Sequence, residues 1–238
     1  TPLTDLAAYT ELKVHAATLK TASIERFFEE DLGRAEAFTL AAANLHLDYS
    51  KHLLSADALS SLLAIAEQAG LRQGIDDLFS GEHVNNTEDR PALHTLLRAS
   101  SGAGQVVRFQ EVVAARKRMQ AFAQRLYRGE HTGYSRERIT DVVNIGIGGS
   151  DLGPRLVTQA LKPFHGKIRC HYVTNVDPAD IQDTLSALQA ASTLFIICSK
   201  SFRTEETLAN GLAARLWMLN AGTPEPDLDK HFLAITTN

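Results

Sequence analysis

The stretch that decides the fold is an apolar run leading into a glycine-rich turn and the start of a helix, Val142-Val143-Asn144-Ile145-Gly146-Ile147-Gly148-Gly149-Ser150-Asp151-Leu152-Gly153-Pro154. The apolar run is short, as buried strands are. The glycines would let a ligand approach the backbone closely, while Ser150 offers a hydroxyl and Asp151 can cap the helix. The same glycines could instead serve only the geometry of a tight turn, and the sequence leaves both interpretations open.

The same order of strand, loop and helix recurs from residue 141 onward. Apolar runs occupy residues 142–147, 168–173, 194–198 and 232–235, with helical stretches over 152–161, after Asp177-Pro178, and over 204–219. This alternation predicts an α/β fold, a doubly wound parallel sheet. If the strand order is the common 2-1-3-4, the first and third strands are neighbours and their helices leave to opposite faces, so their loops flank one crevice.

The second of these loops is Ser199-Lys200-Ser201-Phe202-Arg203-Thr204-Glu205-Glu206-Thr207. It combines hydroxyls and cations with the free N–H groups of a helix start, which suits the acceptor oxygens of a phosphate monoester. An ordinary helix cap accounts for Thr204 but not for Ser199, Lys200 and Ser201 beside it. Taken alone, Lys200 could be a solvated surface lysine, and the two glutamates suit a helix first turn electrostatically.

The first part of the chain is predicted to be helical. Ser55 can cap one helix, and Gly70 can stop it. Three apolar stripes at helical spacing are interpreted as core-facing: Ile24, Phe27, Phe28 and Leu32; Leu59, Leu62, Leu63 and Ala66; and Phe109, Val112, Val113, Met119, Phe122 and Leu126. With a loop over residues 100–104, the predicted organisation is a helical region over 1–105 and the sheet domain over 106–238.

Composition and charge narrow the function classes. The chain is 44% hydrophobic and 22% charged with a net charge of -4, and no basic run interleaved with aromatics occurs, so no nucleic-acid partner is expected. No apolar stretch approaches the ~18 residues of a membrane span, so no membrane partner is expected either. The two cysteines lie in apolar runs, which fits a reduced, cytoplasmic setting.

A nicotinamide-dependent dehydrogenase is opposed by the spacing of the glycines. The dinucleotide fingerprint Gly-x-Gly-x-x-Gly fails from Gly146, because its last position is Asp151, and from Gly148, because its third position is Ser150. No Walker-type phosphate loop occurs, and none of the nine histidines lies in a motif that would supply a catalytic base.

These residues resemble the amino-terminal portion of the phosphoglucose isomerase family. The resemblance rests on residues 144–154 and 199–207 and on three further segments, Leu47-Asp48-Tyr49-Ser50-Lys51, Asn86-Thr87-Glu88-Asp89-Arg90-Pro91-Ala92-Leu93-His94 and Gly104-Gln105-Val106-Val107. It implies a sugar-isomerase (SIS) domain, with a parallel sheet in flavodoxin-like order preceded by a mainly helical region.

The resemblance also implies a set of substrate-binding residues, of which the second loop grips the sugar phosphate: Gly149, Ser150, Ser199, Lys200, Ser201, Phe202, Arg203 and Thr204. Two positions depart from the family, which usually has threonine where Ser201 and Arg203 stand. Ser201 keeps the hydroxyl. Arg203 could either add a phosphate contact or point to solvent.

The activity that the resemblance implies is interconversion of glucose 6-phosphate and fructose 6-phosphate through an enediol, in glycolysis and gluconeogenesis, without a metal or an organic cofactor. It also implies a homodimer. The family's proton-transfer residues are expected beyond Asn238, so no catalytic residue is predicted within this chain. The run 232–238 is typical of a buried strand and no helix follows it, so we expect an incomplete sheet and a fragment that is inactive alone. The alternative is a non-catalytic module of the same fold that binds sugar phosphates.

Overall fold

The computed structural model describes residues 2–101 and 105–237, apart from the side chain of Val106. The chain divides into two compact units, Thr1–Val113 and Ala114–Asn238. Most of the predicted loop over 100–104 lies outside the described residues, because residues 102–104 are not among them. The domain assignment of 1–105 and 106–238 stays a prediction.

The first unit is mainly helical, as predicted. Its helices are α1 (Ala7–Leu19), α2 (Ile24–Glu30), α3 (Arg34–Ala37), α4 (Ala56–Gln68), α5 (Leu71–Ser80) and the beginning of α6 (Val106–Arg128). Ser55 caps α4 by accepting a hydrogen bond from the Ala58 N–H, and Gly70 follows with a φ of 73°. This unit also contains a two-stranded antiparallel hairpin that was not predicted from the sequence, formed by β1 (Thr39–Ala42) and β2 (Leu45–Asp48).

The apolar stripes of the helices are not all buried. Leu32, Leu62, Leu63 and Met119 are exposed, so the interpretation of these side chains as core is wrong. Phe122 and Leu126 of α6, in contrast, pack against the buried residues of the second unit. Helical spacing determines which side chains share a face, but only the tertiary structure decides whether that face is covered.

The second unit is an α/β sheet with the predicted strand order. Its strands are β3 (Asp141–Ile145), β4 (Arg169–Val173), β5 (Thr193–Cys198) and β6 (Phe232–Ile235), and the intervening helices are α7 (Leu152–Ala160), α8 (Pro178–Ser186) and α9 (Glu205–Asn220). All strand pairs are parallel, and the order is β4-β3-β5-β6. This is the order 2-1-3-4. Within the described ranges, no helix combines the length and hydrophobicity needed to cross a membrane.

The sheet is covered on both faces. On one face, buried residues of β3, β4 and β5 pack against α8 and α9: Val143, Ile145, Val173, Phe195, Ile197, Ile181, Leu185, Ala214 and Met218. On the other face, Val142 and Leu194 pack with residues of α6. Tyr172 donates a hydrogen bond to the Pro154 carbonyl of α7 from this second face. The helices that follow β3 and β5 therefore leave to opposite faces.

Four leucines recur at helical spacing in α9, Leu208, Leu212, Leu216 and Leu219, but they do not all lie on the buried side of the helix. Leu212 and Leu216 are exposed, whereas the buried residues of α9 are Thr207, Asn210, Ala214 and Met218. Apart from Met218, the buried residues of α9 are small or polar.

The amino end of β3 is fixed by a buried carboxylate. Asp141 accepts hydrogen bonds from Nε and Nη2 of Arg169, both at 2.7 Å, and lies 2.8 Å from Nε2 of His171. Burial raises the pKa of Asp141, but the hydrogen bonds from Arg169, His171 and Thr140 outweigh it and lower that pKa to about 2. The carboxylate thus ties the start of β3 to β4.

The amino end of β5 is fixed by a buried imidazole. His231 is 0% exposed. Its Nδ1 lies 2.7 Å from the Thr193 carbonyl oxygen, and its Nε2 accepts a hydrogen bond from the Tyr134 N–H at 2.8 Å. This pattern requires a neutral ring with its proton on Nδ1. Burial lowers the pKa of His231 and favours the same neutral form.

Candidate functional site

The two loops identified in the sequence start side by side, because β3 and β5 are adjacent and parallel. Gly146 follows β3 directly. A side-chain carbon placed on Gly146 would lie 3.0 Å from the carbonyl oxygen of Cys198, the last residue of β5, and 2.8 Å from Cβ of Ser150. The structure therefore brings the bases of the two loops together, and only glycine fits at this junction.

The first loop makes a short 3-10 turn over Gly148–Ser150. Gly148 has a φ of 60°, a left-handed conformation that favours glycine. A side-chain carbon placed on Gly148 or on Gly149 would have no described atom within 4 Å, but Gly149 differs because its φ is not positive. The geometry of the turn thus accounts for Gly146 and Gly148, whereas Gly149 faces open space that a ligand could enter.

Ser150 and Asp151 join this turn to α7. Ser150 is half-buried, and its carbonyl accepts a hydrogen bond from Nδ2 of Asn144 at 3.0 Å. Asp151 occupies the N-cap position of α7 but makes no capping hydrogen bond. Its carboxylate pairs instead with Nε of Arg155 at 3.0 and 3.2 Å. The prediction that Asp151 caps the helix is right in position and wrong in contact, because Arg155 one turn further along takes the carboxylate.

In the second loop, Ser199 and Thr204 hold each other. Ser199 is 3% exposed, and its Oγ lies 3.2 Å from Oγ1 of Thr204. Thr204 occupies the N-cap position of α9, yet its side chain makes no capping hydrogen bond. The first N–H groups of α9 are therefore left without a side-chain acceptor, which is where a helix best receives an anion.

The other residues of the second loop differ in exposure. Lys200, Ser201 and Arg203 are exposed, and neither cation has an ion-pair partner in the described part of the chain. Phe202 adopts a φ of 54° and packs against the core on the α8 and α9 face. Its side chain thus lies on the core side of the loop, and its place in the substrate site stays a prediction.

One polar group at the start of α9 is unsatisfied. The hydroxyl of Thr207 is buried and has no hydrogen-bond partner among the residues that the structure describes. A buried hydroxyl without a partner costs roughly 1–3 kcal/mol, so such groups are uncommon. The first turn of α9 therefore holds unpaired donors in both backbone and side chain.

Two contacts that support the loops were not predicted from the sequence. The side-chain amide of Asn144 donates a hydrogen bond to the Ser150 carbonyl. The hydroxyls of Thr236 and Thr237 donate hydrogen bonds to the Lys200 carbonyl. Asn144 carries a detectable signal, since it is a polar residue within an apolar strand. The threonines follow β6 at the same carboxyl edge of the sheet as both loops, but their role depends on strand order.

Comparisons with known proteins identify the relatives of this chain. The sequence profile of the family described as Phosphoglucose isomerase matches residues 48–238. A glucose-6-phosphate isomerase of Saccharophagus degradans is 46% identical over 228 residues, covering 95% of this chain and 42% of the relative. One from Cupriavidus taiwanensis is 45% identical over 245 residues, covering 99% of this chain and 45% of the relative. The chain thus spans less than half the length of these curated relatives.

A solved structure supports the fold. The crystal structure of a glucose-6-phosphate isomerase from Chlamydia trachomatis superposes with a TM-score of 0.77 at 23% sequence identity, over 100% of this chain and 46% of that one. At this identity the likeness speaks for the fold alone. The profile match covers most of the sequence and includes both loops. The chain therefore belongs to the phosphoglucose isomerase family.

Proposed function

We propose that the polypeptide containing this chain interconverts glucose 6-phosphate and fructose 6-phosphate, and that this chain supplies the site for the phosphate group. The observation that carries the proposal is the uncapped start of α9 beside Lys200 and Ser201. Unpaired N–H groups and a cation at a helix start are the groups that a phosphate dianion binds best. The proposed binding residues are Gly149, Ser150, Ser199, Lys200, Ser201, Phe202, Arg203 and Thr204.

The hydroxyl pair of Ser199 and Thr204 supports this assignment. At 3.2 Å the two oxygens share one hydrogen bond, so one hydroxyl proton remains to be turned toward a ligand. Hydrogen bonds to a charged acceptor contribute about 1.5–3 kcal/mol each, so a few of them suffice for micromolar affinity.

The phosphate group is remote from the reacting carbons, so its role is to orient the sugar. Isomerisation moves a proton between C1 and C2 through an enediol, which requires a base and a cation that stabilises the enediolate. Fixing the 6-phosphate limits the positions available to C1 and C2, and the binding energy of a remote group lowers the barrier in this way. We assign no proton-transfer step to a residue of this chain.

Membership in the family supports the wider setting of the proposal. It favours a role in glycolysis and gluconeogenesis for the complete polypeptide, as a cytoplasmic homodimer that uses neither a metal nor an organic cofactor. The second candidate, a module that binds sugar phosphates without chemistry, is favoured by the fact that every group assigned here binds rather than moves protons.

The test is an isomerase assay on a polypeptide of the length of the relatives, together with the triple variant S199A/S201A/T204A. The parent protein should convert fructose 6-phosphate to glucose 6-phosphate, and the variant should show a KM increased about tenfold or more for each charge-assisted bond lost. The matched control is Thr184→Ala on α8, which removes a hydroxyl bonded to the Asp180 carbonyl at 2.9 Å.

Three outcomes are distinguishable. Turnover by the parent with a raised KM in the triple variant supports both parts of the proposal. Binding of hexose phosphate without turnover would favour the non-catalytic module. Turnover with an unchanged KM in the triple variant would remove the second loop from the phosphate site.

A further inference from the structure

The peptide bond between Lys200 and Ser201 is held from the side of β6. The carbonyl oxygen of Lys200 accepts from the N–H of Thr237 at 3.0 Å, from Oγ1 of Thr237 at 2.8 Å and from Oγ1 of Thr236 at 3.1 Å. Three donors on one carbonyl oxygen exceed its two lone pairs. The convergence fixes the direction in which this carbonyl points.

That direction also determines where the neighbouring N–H points. The described residues contain no cis peptide bond, and in a planar trans peptide the C=O and the following N–H point in opposite directions. With the Lys200 carbonyl directed at Thr236 and Thr237, the Ser201 N–H points away from β6. In the described part of the chain this N–H donates no hydrogen bond.

The strand order determines which loop the Ser201 N–H is directed toward. The sheet runs β4-β3-β5-β6, so β3 and the first loop lie on the side of β5 opposite to β6. A donor pointing away from β6 is therefore directed toward the side on which Gly149 faces open space. If the peptide were reversed, it would present a carbonyl oxygen there, which would repel an anion.

We propose that Thr236 and Thr237 are positioning residues for the phosphate site. They hold the Lys200–Ser201 peptide in the orientation that offers the Ser201 N–H to the ligand, and they act through the Lys200 carbonyl without touching the ligand. This inference rests on the proposed function, since it specifies how the same site is kept ready to bind.

A general stabilising role predicts a different result. Thr236 is half-buried and Thr237 is exposed, so losing their hydroxyls should cost the fold little, because water can replace them. Phosphate affinity should be more sensitive to these hydroxyls than fold stability is. A hydrogen bond from an N–H to a charged phosphate contributes more free energy than the neutral hydrogen bonds from the threonines that orient the peptide.

The experiment compares the double variant T236V/T237V with T236S/T237S in the polypeptide of the relatives' length. Valine keeps the shape and the Thr237 N–H but removes both hydroxyls, whereas serine keeps the hydroxyls. The valine pair should raise the KM for fructose 6-phosphate and the inhibition constant of inorganic phosphate by about three- to tenfold, which is the worth of one hydrogen bond. Its kcat should change less than its KM.

The serine pair should behave like the parent protein. The matched control is Thr184→Val, which removes a hydroxyl bonded to the backbone of α8, away from the loops. Thermal unfolding of all variants identifies any that are merely misfolded. A second readout uses selective 15N-serine labelling: on addition of inorganic phosphate, the Ser201 amide resonance should shift in the parent and serine pair, and much less in the valine pair.

Several results would overturn the inference. A valine pair that binds phosphate as tightly as the parent would refute it while leaving the proposed function intact. A serine pair as weak as the valine pair would show that the hydroxyls are not what matters. A parent protein that binds neither inorganic phosphate nor hexose phosphate would refute the proposed function, and the positioning role with it.

Discussion

The two loops occupy equivalent places after adjacent strands, yet they are supported in different ways. The turn of the first loop is held from within its own unit of strand, turn and helix, by the hydrogen bond from the Asn144 amide to the Ser150 carbonyl, while the base of the loop at Gly146 lies against the Cys198 carbonyl of β5. The second is held from the next strand, since the Ser199 N–H donates to the Ile235 carbonyl and the Lys200 carbonyl accepts from Thr236 and Thr237.

Equivalent positions in a repeated βα pattern therefore need not be held in place in the same way. The hydrogen bond that supports the turn of the first loop joins Asn144 and Ser150, which are six positions apart. The supports of the second lie 36 and 37 positions away along the chain. The side-chain support of the first loop is therefore available as soon as β3 and the turn have formed, whereas that of the second loop is available only when β6 has joined the sheet.

The largest effect is expected from a single methyl group at the base of the first loop. Gly146→Ala would place a carbon 2.8–3.0 Å from Ser150 and from the Cys198 carbonyl, so the free energy of unfolding should fall by about 2–3 kcal/mol, as overpacking does. Urea unfolding measures this change.

Gly149→Ala is the matched control, because the same methyl group would meet no atom within 4 Å there. Its stability should stay within about 0.5 kcal/mol of the parent. In a site that binds phosphate, the new methyl group would nevertheless occupy ligand space and weaken binding. Equal destabilisation by both substitutions would contradict the close fit at Gly146.

A smaller effect is expected when the sheet that carries both loops is weakened at Asp141, at its amino end, opposite the loops. Because the pKa of Asp141 is lowered from 3.8 to about 2, its charge stabilises the fold above pH 3.8, and this contribution is lost as the pH falls toward 2. Asp141→Asn should remove about 1–2 kcal/mol at pH 7, allowing for the solvent exposure of Arg169.

The measurement is urea unfolding of the parent and Asp141→Asn at a series of pH values between 7 and 2. The difference between the two proteins should shrink below about pH 4, where the aspartate of the unfolded chain becomes protonated. A difference that stays constant across this range would mean that the carboxylate acts through its shape and not through its charge.

The smallest effect is expected at the support of the first loop. Asn144→Ala removes the donor to the Ser150 carbonyl, so affinity for inorganic phosphate should fall by about 0.5–1.5 kcal/mol, the worth of one hydrogen bond. Isothermal titration of the polypeptide with phosphate measures it. The matched control is Asn210→Ala, since Asn210 is also buried and donates to a backbone carbonyl, that of Asn175, at 2.7 Å.

Both asparagine variants should lose some stability, but only Asn144→Ala should lose affinity. If Asn210→Ala weakened phosphate binding equally, the effect would reflect a general loosening of the unit. The local support of the first loop would then be no more important to binding than any other buried amide.

Most of the fold could be predicted from the sequence because strands and helix starts are indicated by local patterns. Four apolar runs, Asp177 before Pro178, and Thr204 before α9 mark strands and helix starts that the structure confirms. The parallel order followed from the alternation of elements. The hairpin of β1 and β2 was not predicted because its two strands are short and almost entirely exposed. They therefore lack the alternation of buried and exposed positions that indicates a strand.

The contacts of the site were harder to predict than its residues. The sequence placed Asp151 and Thr204 correctly at helix starts, but the partners of their side chains, Arg155 and Ser199, were decided by competition among nearby polar groups. The threonines on the Lys200 carbonyl depend on the pairing of β5 with β6. Such contacts depend on the strand order. A sequence pattern limits the possible strand orders but does not determine which one is adopted.

The neutral ring of His231 makes the folding of this unit a proton-releasing reaction in mild acid. Below its usual pKa of 6.5 the imidazole of the unfolded chain carries a proton, which it must lose to accept the Tyr134 N–H. Stability therefore falls as the pH drops below 6.5, and the heat of folding should vary with the ionisation enthalpy of the buffer. A histidine at the opposite edge of the sheet thus contributes to the acid sensitivity of the unit that carries both loops.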